Sequence, residues 1–290
     1  MADISFIICT IQKEKEDIYL NHVIDNIKKQ ENVEIEIILV WDGLDINKSP
    51  NIEGVKKITL DFSSLSEKRN IGAASATAPV ICFLDDDTYP SDTLFARKAI
   101  DLLISDNIDF LTCNIESTGQ FMSGGGITAD ADMNYKTIIP NMWEPGLTIY
   151  ANVFNRLKLD PTLGIGCVHG ASEGFDLGFR LLKDGKKGRR ISSFYINHPP
   201  LDPRGDYQAE RFFFYSLGNG AVLIQHKYYW TFTWQIIKTI ARLFVSVVKL
   251  DFVRVRASFI RILCMLIGPL LPRRRGRVLP SWFIADHSGI

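Results

Sequence analysis

Short apolar runs alternate with helical patterns through the first part of the chain. Leu20, Val23, Ile24 and Ile27 fall at i, i+3, i+4 and i+7 and so share one face of a helix. Strands that alternate with helices are typical of an α/β fold with a mostly parallel sheet covered on both faces. The predicted strands are Phe6–Thr10, Val33–Trp41, Val55–Leu60, Pro79–Leu84 and Ile108–Cys113, and later helices are predicted over 66–78 and, with Ser91 as N-cap, through Phe95–Leu103.

Polar side chains follow three of the predicted strands. Thr10 ends the first strand, Asp42 the second, and Asp85, Asp86 and Asp87 follow the fourth. Because ligands of parallel sheets bind beyond the carboxyl ends of the strands, we expect these residues to line one crevice. Three successive carboxylates repel one another and need solvent, basic side chains or a hard divalent cation beside them. The triplet alone is compatible with a solvated acidic turn, but its position favours a binding site.

Composition narrows the class of protein only a little. The chain has 290 residues, of which 46% are apolar and 23% charged, and a net charge of zero gives no case for nucleic-acid binding. The start of the chain lacks the basic segment and cleavage site of a signal peptide, so a cytoplasmic protein is expected. Five scattered cysteines are predicted to be core residues in a reducing compartment: Cys9, Cys82, Cys113, Cys167 and Cys264.

The chain changes character after Tyr228. Two segments carry broad apolar faces opposite basic stripes, and between Lys238 and Arg277 ten Lys and Arg residues face one acid, Asp251. Neither segment reaches about 18 uncharged apolar residues, so neither is predicted to span a membrane. They could form a helical pair on the preceding domain or in a dimer. The excess of basic residues, with Trp230 and Trp234 at the edge, favours the surface of an anionic membrane.

Six short segments carry a resemblance to a known family. They are Ile7–Thr10, Asp42, Lys68–Gly72, Phe83–Asp87, Asp160–Gly166 and Ser172–Leu181. In this order they resemble family 2 glycosyltransferases over about residues 4–200. The resemblance implies the GT-A fold, a Rossmann-like mixed sheet, over residues 1–228, with a nucleotide-binding half at about 1–115 and an acceptor half at about 116–228. Residues 229–290 would form the amphipathic, membrane-associating segment.

The same resemblance suggests which residues bind a nucleotide-sugar. Asp87 is expected to be the main ligand of Mn²⁺ or Mg²⁺, and Asp85 to contact the metal or the ribose. A divalent metal stabilises the charge that builds on a departing diphosphate. Since alternate residues of an extended strand point the same way, Asp85 and Asp87 should face the ligand and Asp86 the opposite side. The expected nucleotide-sugar contacts are Thr10, Gln12, Asp42, Arg69, Asp85 and Asp86.

Two acids are candidates for the catalytic base. Where the family usually has Glu followed by Asp, Glu173 is followed here by Gly174. Glu173 is therefore the first candidate for the group that takes the proton of the acceptor hydroxyl, and Asp176 the second. The alternative is that both acids only favour the start of a helix over Asp176–Leu182, where the helix dipole attracts negative charge.

Three further residues are weaker candidates for the site. A looser similarity of Glu210–Lys227 to some bacterial polysaccharide glycosyltransferases suggests that His198 and His226 lie near the diphosphate or the acceptor. A lone histidine is as readily structural. Trp143, in a turn that ends at Gly146, is an aromatic candidate for ligand contact.

Together these observations and the resemblance predict a metal-dependent glycosyltransferase, and the resemblance implies that it inverts the anomeric centre. It would move a sugar from a UDP-linked nucleotide donor to a lipid-linked or polysaccharide acceptor in bacterial surface-glycan synthesis, at the cytoplasmic face of the inner (plasma) membrane. A nucleotidyltransferase is a rival, but that class needs a Gly-rich basic loop where this chain has Thr10–Lys13. A catalytically degenerate GT-A domain acting as a membrane scaffold is a second rival, and Gly174 is its only support.

Overall fold

A computed structural model describes residues 2–11, 18–43, 45–61, 63–117, 120–121, 126–199 and 205–275. The chain divides into two compact units. The first contains Met1–Phe62, Glu67–Leu159 and Leu177–Pro200, and the second contains Ser63–Ser66, Asp160–Asp176 and Leu201–Ile290.

The first unit is built from alternating strands and helices. A short 3₁₀ turn at Ile46–Lys48 precedes β3. The elements are β1 (Ile4–Ile11), α1 (Ile18–Lys28), β2 (Ile35–Asp42), β3 (Lys56–Leu60), α2 (Leu65–Ser75), β4 (Val80–Asp85), β5 (Tyr89–Pro90), α3 (Phe95–Ser105), β6 (Phe110–Ser117), β7 (Gln120–Phe121), β8 (Ala131–Asp132), α4 (Ile138–Asn141), β9 (Thr148–Tyr150), α5 (Ala151–Leu157), α6 (Glu173–Lys183) and β10 (Gly188–Asn197). The unit boundaries fall within α2 and α6.

These strands form one mixed, mostly parallel sheet. Its order is β3-β2-β1-β4-β9-β6-β10-β5, with β7 paired to β6 and β8 to β10. The strands β1, β2, β3 and β4 are parallel to their neighbours among themselves, and so are β6 and β10. The short strand β9 lies antiparallel between β4 and β6. The predicted fold class, a GT-A-like α/β sheet with helices, is confirmed.

Both faces of β1 are buried, which explains why the strand is continuously apolar. Ile4, Phe6 and Ile8 belong to the core cluster that also contains the predicted apolar face of α1. Ile7 points the other way and is fully buried as well. Burying a large aliphatic side chain contributes about 1.5–3 kcal/mol, so β1 is a principal source of stability in this unit.

The cysteines are core residues, as predicted. All five are free and buried. Burial raises the pKa of the Cys9 and Cys82 thiols to about 12 and also raises that of Cys113. These thiols therefore stay protonated and unreactive near neutral pH. One local prediction was wrong: α3 begins at Phe95 with Leu94 in the N-cap position, and Asp92 rather than Ser91 accepts from the Leu94 N–H, at 2.8 Å.

Three long helices dominate the second unit: α7 (Gly205–Gln225), α8 (Tyr229–Val248) and α9 (Phe252–Ile267), followed by a 3₁₀ turn at Gly268–Leu270. The backbones of α7 and α9 nearly touch, because a Cβ on Gly220 would lie only 2.3 Å from the Met265 carbonyl oxygen. The helix α9 also packs against α8. Removing α8 and α9 would therefore uncover α7.

The amphipathic pattern of α8 and α9 is inverted relative to an ordinary surface helix. The buried residues of α8 are Thr239 and Ser246, and Ser258 is buried in α9 beside Cys264 and Met265. Large apolar side chains lie outside instead. Those exposed by at least two thirds of their surface are Trp230, Phe244, Val248, Leu250, Phe252 and Leu270.

One helix is long and apolar enough to cross a membrane, judged by length and composition alone. It is α8, with 20 residues, and no other helix in the described ranges meets both criteria. Because α8 contains Lys238 and Arg242, it has no run of 18 uncharged residues, and the expectation that neither C-terminal segment spans a membrane stays a prediction.

Candidate functional site

Parallel pairing brings the polar ends of β1, β2 and β4 side by side. In the register of the sheet, Ile11 of β1 lies opposite Asp42 of β2, and Cys9 of β1 lies opposite Asp85 of β4. Thr10 lies between these two positions on the central strand. The predicted meeting of three strand tips at one edge of the sheet is therefore present in the structure.

Two basic residues of α2 compensate the acids at this edge. The Lys68 ammonium lies 3.2 Å from Asp42 Oδ2 and also donates to the Thr10 carbonyl at 3.3 Å. Arg69 Nη2 donates to Asp85 Oδ1 at 2.7 Å. Lys68, Arg69 and Asp42 are all buried. Removing one partner of such a buried pair typically costs about 3–5 kcal/mol, so these contacts hold the strand tips in place.

The other residues of the Lys68–Gly72 segment explain how α2 reaches this position. A Cβ on Gly72 would lie 2.5 Å from Ile7 Cγ2, so only glycine allows α2 to approach β1 this closely. Asn70 accepts from the Leu159 N–H and donates to the Leu159 carbonyl, both at 2.9 Å. The segment therefore combines a close helix–sheet contact, a clamp on a neighbouring loop and two cations at the strand ends.

The acidic triplet differs from the prediction in its backbone. The strand β4 ends at Asp85, and Asp86 and Asp87 lie in a turn. The alternation of an extended strand therefore does not apply to them, and the expectation that Asp86 faces away was wrong in its premise. The Thr10 hydroxyl donates to Asp86 Oδ2 at 2.5 Å, so Asp86 is directed toward the end of β1. The Thr88 hydroxyl accepts from the Asp85 N–H at 2.8 Å and closes the turn.

His198 lies beside the last acid of this turn. Its Nε2 is 3.7 Å from Asp87 Oδ2, and its Nδ1 lies 2.6 Å from the Pro199 carbonyl oxygen. Because a carbonyl only accepts, Nδ1 carries the proton. Nε2, the other ring nitrogen, faces the Asp87 carboxylate.

Asp87 and His198 are the pair at this edge whose donor atoms suit a metal ion. Mg²⁺ and similar cations in nucleotide enzymes are commonly held by one or two carboxylates together with substrate phosphates. Asp87 would supply one carboxylate, and His198 would add an imidazole nitrogen. No group of three or more His, Cys, Asp and Glu residues suited to a metal ion occurs within the described ranges. The donor set therefore fits a metal that is completed by a bound diphosphate rather than a closed structural site.

Glu173 is the first residue of α6 and belongs to the second unit. Its side chain is only 6% exposed. The neighbouring loop makes room for it at Gly164, where φ is +91° and a Cβ would lie 2.8 Å from Glu173 Oε1. The Ser66 hydroxyl donates to the Leu163 carbonyl at 2.7 Å and fixes this loop. The Asp160–Gly166 segment thus forms one wall of the Glu173 environment.

Asp176, the alternative base, is paired with a histidine. His226 Nε2 lies 2.8 Å from Asp176 Oδ1, and Gln225 Nε2 donates to the same oxygen at 3.4 Å. Asp176 is 1% exposed, and the His226 ring packs edge-on against Phe175. Within the second unit this pair joins α6 to the end of α7. The arrangement gives Asp176 a structural partner in His226.

The remaining candidates lie in less informative places. Trp143 donates its indole N–H to the Pro140 carbonyl at 2.8 Å and packs on the core cluster. Gln12 lies outside the described residues. Lys68 was not among the site residues predicted from the sequence. Its position near the start of α2, next to Arg69, was the signal that could have placed it there. Ligand contacts of these side chains stay predictions.

Comparisons with known proteins give one family match and several structural matches. Residues 5–125 match the model of Glycosyl transferase family 2. Crystal structures of S. aureus TarS have the same fold: TarS itself matches with a TM-score of 0.51 and 17% identity, over 72% of this chain and 38% of that one. TarS 1–349 in complex with UDP-GlcNAc matches with a TM-score of 0.53 and 16% identity, over 77% of this chain and 66% of that one.

The complex of TarS 1–349 with UDP gives a TM-score of 0.52 at 15% identity, over 77% of this chain and 65% of that one. This chain therefore spans between about two fifths and two thirds of the TarS chains it resembles. No curated protein sequence matches it. The stretch that matches Glycosyl transferase family 2, residues 5–125, includes the strand tips, Arg69 and the acidic turn.

Proposed function

We propose that this chain is a metal-dependent glycosyltransferase that uses a UDP-sugar. The observation that carries the proposal is the convergence of Asp42, Asp85 and the Asp86–Asp87 turn at the ends of neighbouring parallel strands, with Arg69 among them, inside a family 2 domain. TarS 1–349, which has the same fold, crystallised with UDP and with UDP-GlcNAc. UDP-GlcNAc is therefore the first donor to test.

The strand tips are suited to holding a nucleoside diphosphate. Lys68 neutralises Asp42, so the end of β2 can hydrogen-bond a base without a net buried charge. Arg69 pairs with Asp85 at 2.7 Å and keeps positive charge near the acids. A Mn²⁺ or Mg²⁺ ion, held by Asp87 and His198, would stabilise the charge on the departing diphosphate. The protein residues orient the donor and balance the charges around it.

Glu173 is the proposed base for the acceptor hydroxyl. It is a buried carboxylate at the first position of α6, and its neighbour Gly164 leaves space beside its oxygens. Asp176 is the weaker candidate because its carboxylate is engaged by His226. One base and a direct displacement would invert the anomeric centre. The acceptor is proposed to be lipid-linked or a polysaccharide, as in bacterial surface-glycan synthesis.

A donor panel tests the proposed activity. The full-length chain is incubated with UDP-, GDP- and dTDP-sugars, each with Mn²⁺ or with EDTA, and release of the free nucleotide is measured. We expect Mn²⁺-dependent hydrolysis of at least one UDP-sugar. In the absence of an acceptor, water slowly takes the place of the acceptor hydroxyl. Release of nucleotide from no donor, or equal release with EDTA, would contradict the proposal.

We further propose that the chain works on the cytoplasmic face of the plasma membrane as a peripheral protein. The support is the exposed apolar surface of α8 and α9, together with their basic residues. A truncation near Tyr229 is a poor test, because it would uncover the face of α7 on which α9 packs. Substitutions of exposed residues avoid this problem.

Trp230→Ser with Phe244→Ser is expected to weaken vesicle binding about tenfold or more, because two large exposed side chains lose their burial in lipid. Trp230 and Phe244 are 78% and 69% exposed. Co-sedimentation with equal parts phosphatidylglycerol and phosphatidylcholine measures the effect. The matched control is Tyr19→Ser with Ile104→Ser, exposed residues of the first unit. Equal binding by both variants would contradict the proposal, and resistance of the wild type to alkaline extraction would indicate that α8 spans the bilayer.

A further inference from the structure

A cavity inside the second unit is lined by an unusual excess of positive charge. It lies among α7, α8 and α9 and has a volume of about 600 Å³, the size of a small-ligand pocket. Its lining includes four cations, Arg242, Lys249, Arg254 and Arg261, and one carboxylate, Asp251. The lining therefore carries three net positive charges, four minus one.

The single acid of the pocket is already used. Asp251 caps the start of α9 by accepting from the Arg254 N–H at 3.1 Å, and Arg254 Nε lies 3.3 Å from its other oxygen. Both oxygens of this carboxylate are therefore engaged by Arg254. Like charges held together in a partly buried space are unfavourable unless an anion enters.

Arg261 is the cation most affected. It is half-buried, and its Nη2 donates to Gln235 Oε1 at 3.3 Å, an oxygen that also accepts from Asn219 at 2.9 Å. Burial, and then the charge of Arg242, lower the pKa of Arg261. A neutral glutamine oxygen shared by two donors does not balance a guanidinium charge. A phosphate group in the pocket would balance it, because guanidinium groups bind phosphate oxygens through paired hydrogen bonds.

The surroundings of the pocket indicate where the phosphate would come from. Ser246 and Ser258 line the pocket and are buried, while Val245 and Val253 line it and are 54% and 62% exposed. The cavity lining therefore combines cations and serines with exposed apolar side chains, which form an apolar rim. A free phosphate ion makes no use of the apolar rim, whereas the acyl chains of a lipid would cover it.

We propose that the pocket among α7, α8 and α9 binds the phosphate headgroup of a membrane lipid. The cations hold the phosphate, and the exposed apolar residues beside them contact the hydrocarbon. This inference rests on the membrane association proposed above, but none of the pocket residues belongs to the donor site or is a candidate base. Specific headgroup binding would orient the chain on the bilayer, which general attraction to an anionic surface does not do.

The test measures binding of dihexanoyl phosphatidic acid, used below its micelle concentration, to the full-length chain by calorimetric titration. Monomeric lipid removes the contribution of a charged vesicle surface. Arg242→Gln with Lys249→Gln removes two pocket cations at exposed positions, and Lys238→Gln with Arg256→Gln removes one Lys and one Arg at exposed positions outside the pocket. We expect the pocket variant to bind about tenfold more weakly or worse, as lost charge-assisted hydrogen bonds require.

The control variant should bind within about twofold of wild type, since exposed charges outside the pocket contribute little in water. Equal loss in both variants, or no binding by wild type, would overturn the pocket. Inorganic phosphate that binds as tightly as the lipid would overturn the assignment to a lipid. The donor assay is run on the same preparations to separate the two proposals. Donor hydrolysis without lipid binding contradicts only the pocket, and lipid binding without hydrolysis contradicts only the transferase.

Discussion

Asp87→Asn is expected to abolish the Mn²⁺-dependent part of UDP binding. Loss of an outer partner of a metal site typically costs about 10- to 100-fold in affinity, and loss of a direct ligand should cost at least the upper value. Asp87 lies in the turn after β4 with Oδ2 3.7 Å from His198 Nε2, so the amide would leave the imidazole as the only strong protein ligand of that pair. Calorimetric titration of UDP with Mn²⁺ and with EDTA measures the effect.

The matched control for Asp87 is Asp101→Asn. Asp101 is an exposed acid of α3 that pairs with Arg97, and its substitution makes the same chemical change outside the site. The control should retain wild-type UDP affinity in Mn²⁺. If Asp87→Asn kept the same difference between Mn²⁺ and EDTA as wild type, the metal assignment would be wrong.

Glu173→Gln is expected to remove sugar transfer while UDP binding stays within about twofold of wild type. A positioned general base commonly contributes about 10²- to 10⁴-fold to the rate, and the amide cannot take the proton. The substitution keeps the size of a side chain that sits beside Gly164, so the local fold should persist. Turnover of the donor with acceptor, compared with UDP affinity, separates the two effects.

The variant Asp176→Asn tests whether Asp176, rather than Glu173, is the catalytic base. Asp176 is buried and lies 2.8 Å from His226, so the substitution should lower stability by about 1.5–3 kcal/mol, the value of a hydrogen bond to a charged group. Below its lowered unfolding temperature, the folded variant should still transfer sugar. Full transfer by Glu173→Gln together with none by Asp176→Asn would reverse the assignment. Wild-type transfer by both would favour the alternative that the acids only stabilise the start of α6.

The main strands were predictable because burial imposes local patterns on them. The apolar runs of β1, β2 and β4 and the apolar face of α1 each show, within a few consecutive residues, which positions are buried. The strand β9 could not be found in this way. It is three residues long and exists because it pairs antiparallel with both β4 and β6, which are distant in the chain.

The candidate site shows the same division. The meeting of Thr10, Asp42 and Asp85 follows from parallel topology alone and was predictable. The pairing of Lys68 with Asp42 and of Arg69 with Asp85 depends on how closely α2 approaches β1. Gly72 permits this close approach, but a glycine in the sequence does not by itself predict it. The sequence did not decide between an extended strand and an acidic turn at Asp86, because three acids in a row carry no signal for the residue at which a strand ends.

The C-terminal helices show a different limit. Their periodicity correctly separates an apolar face from a polar one, but periodicity does not say which face is buried. In α8 the polar residues Thr239 and Ser246 are buried and Phe244 is exposed, because the helix packs its small side chains toward α9. The cation-lined pocket among α7, α8 and α9 follows from this packing and was not apparent from the hydrophobic periodicity of the sequence.

The most direct test of the central claim is the titration of the wild-type chain with UDP. The strand tips, Arg69 and the Asp86–Asp87 turn are proposed to hold a nucleoside diphosphate through a divalent metal. We predict saturable binding of UDP in Mn²⁺ and at least about tenfold weaker binding of UDP in EDTA. We also predict weaker binding of UMP, which lacks the second phosphate. Absence of UDP binding, or the same affinity for UDP and UMP with and without the metal, would contradict it.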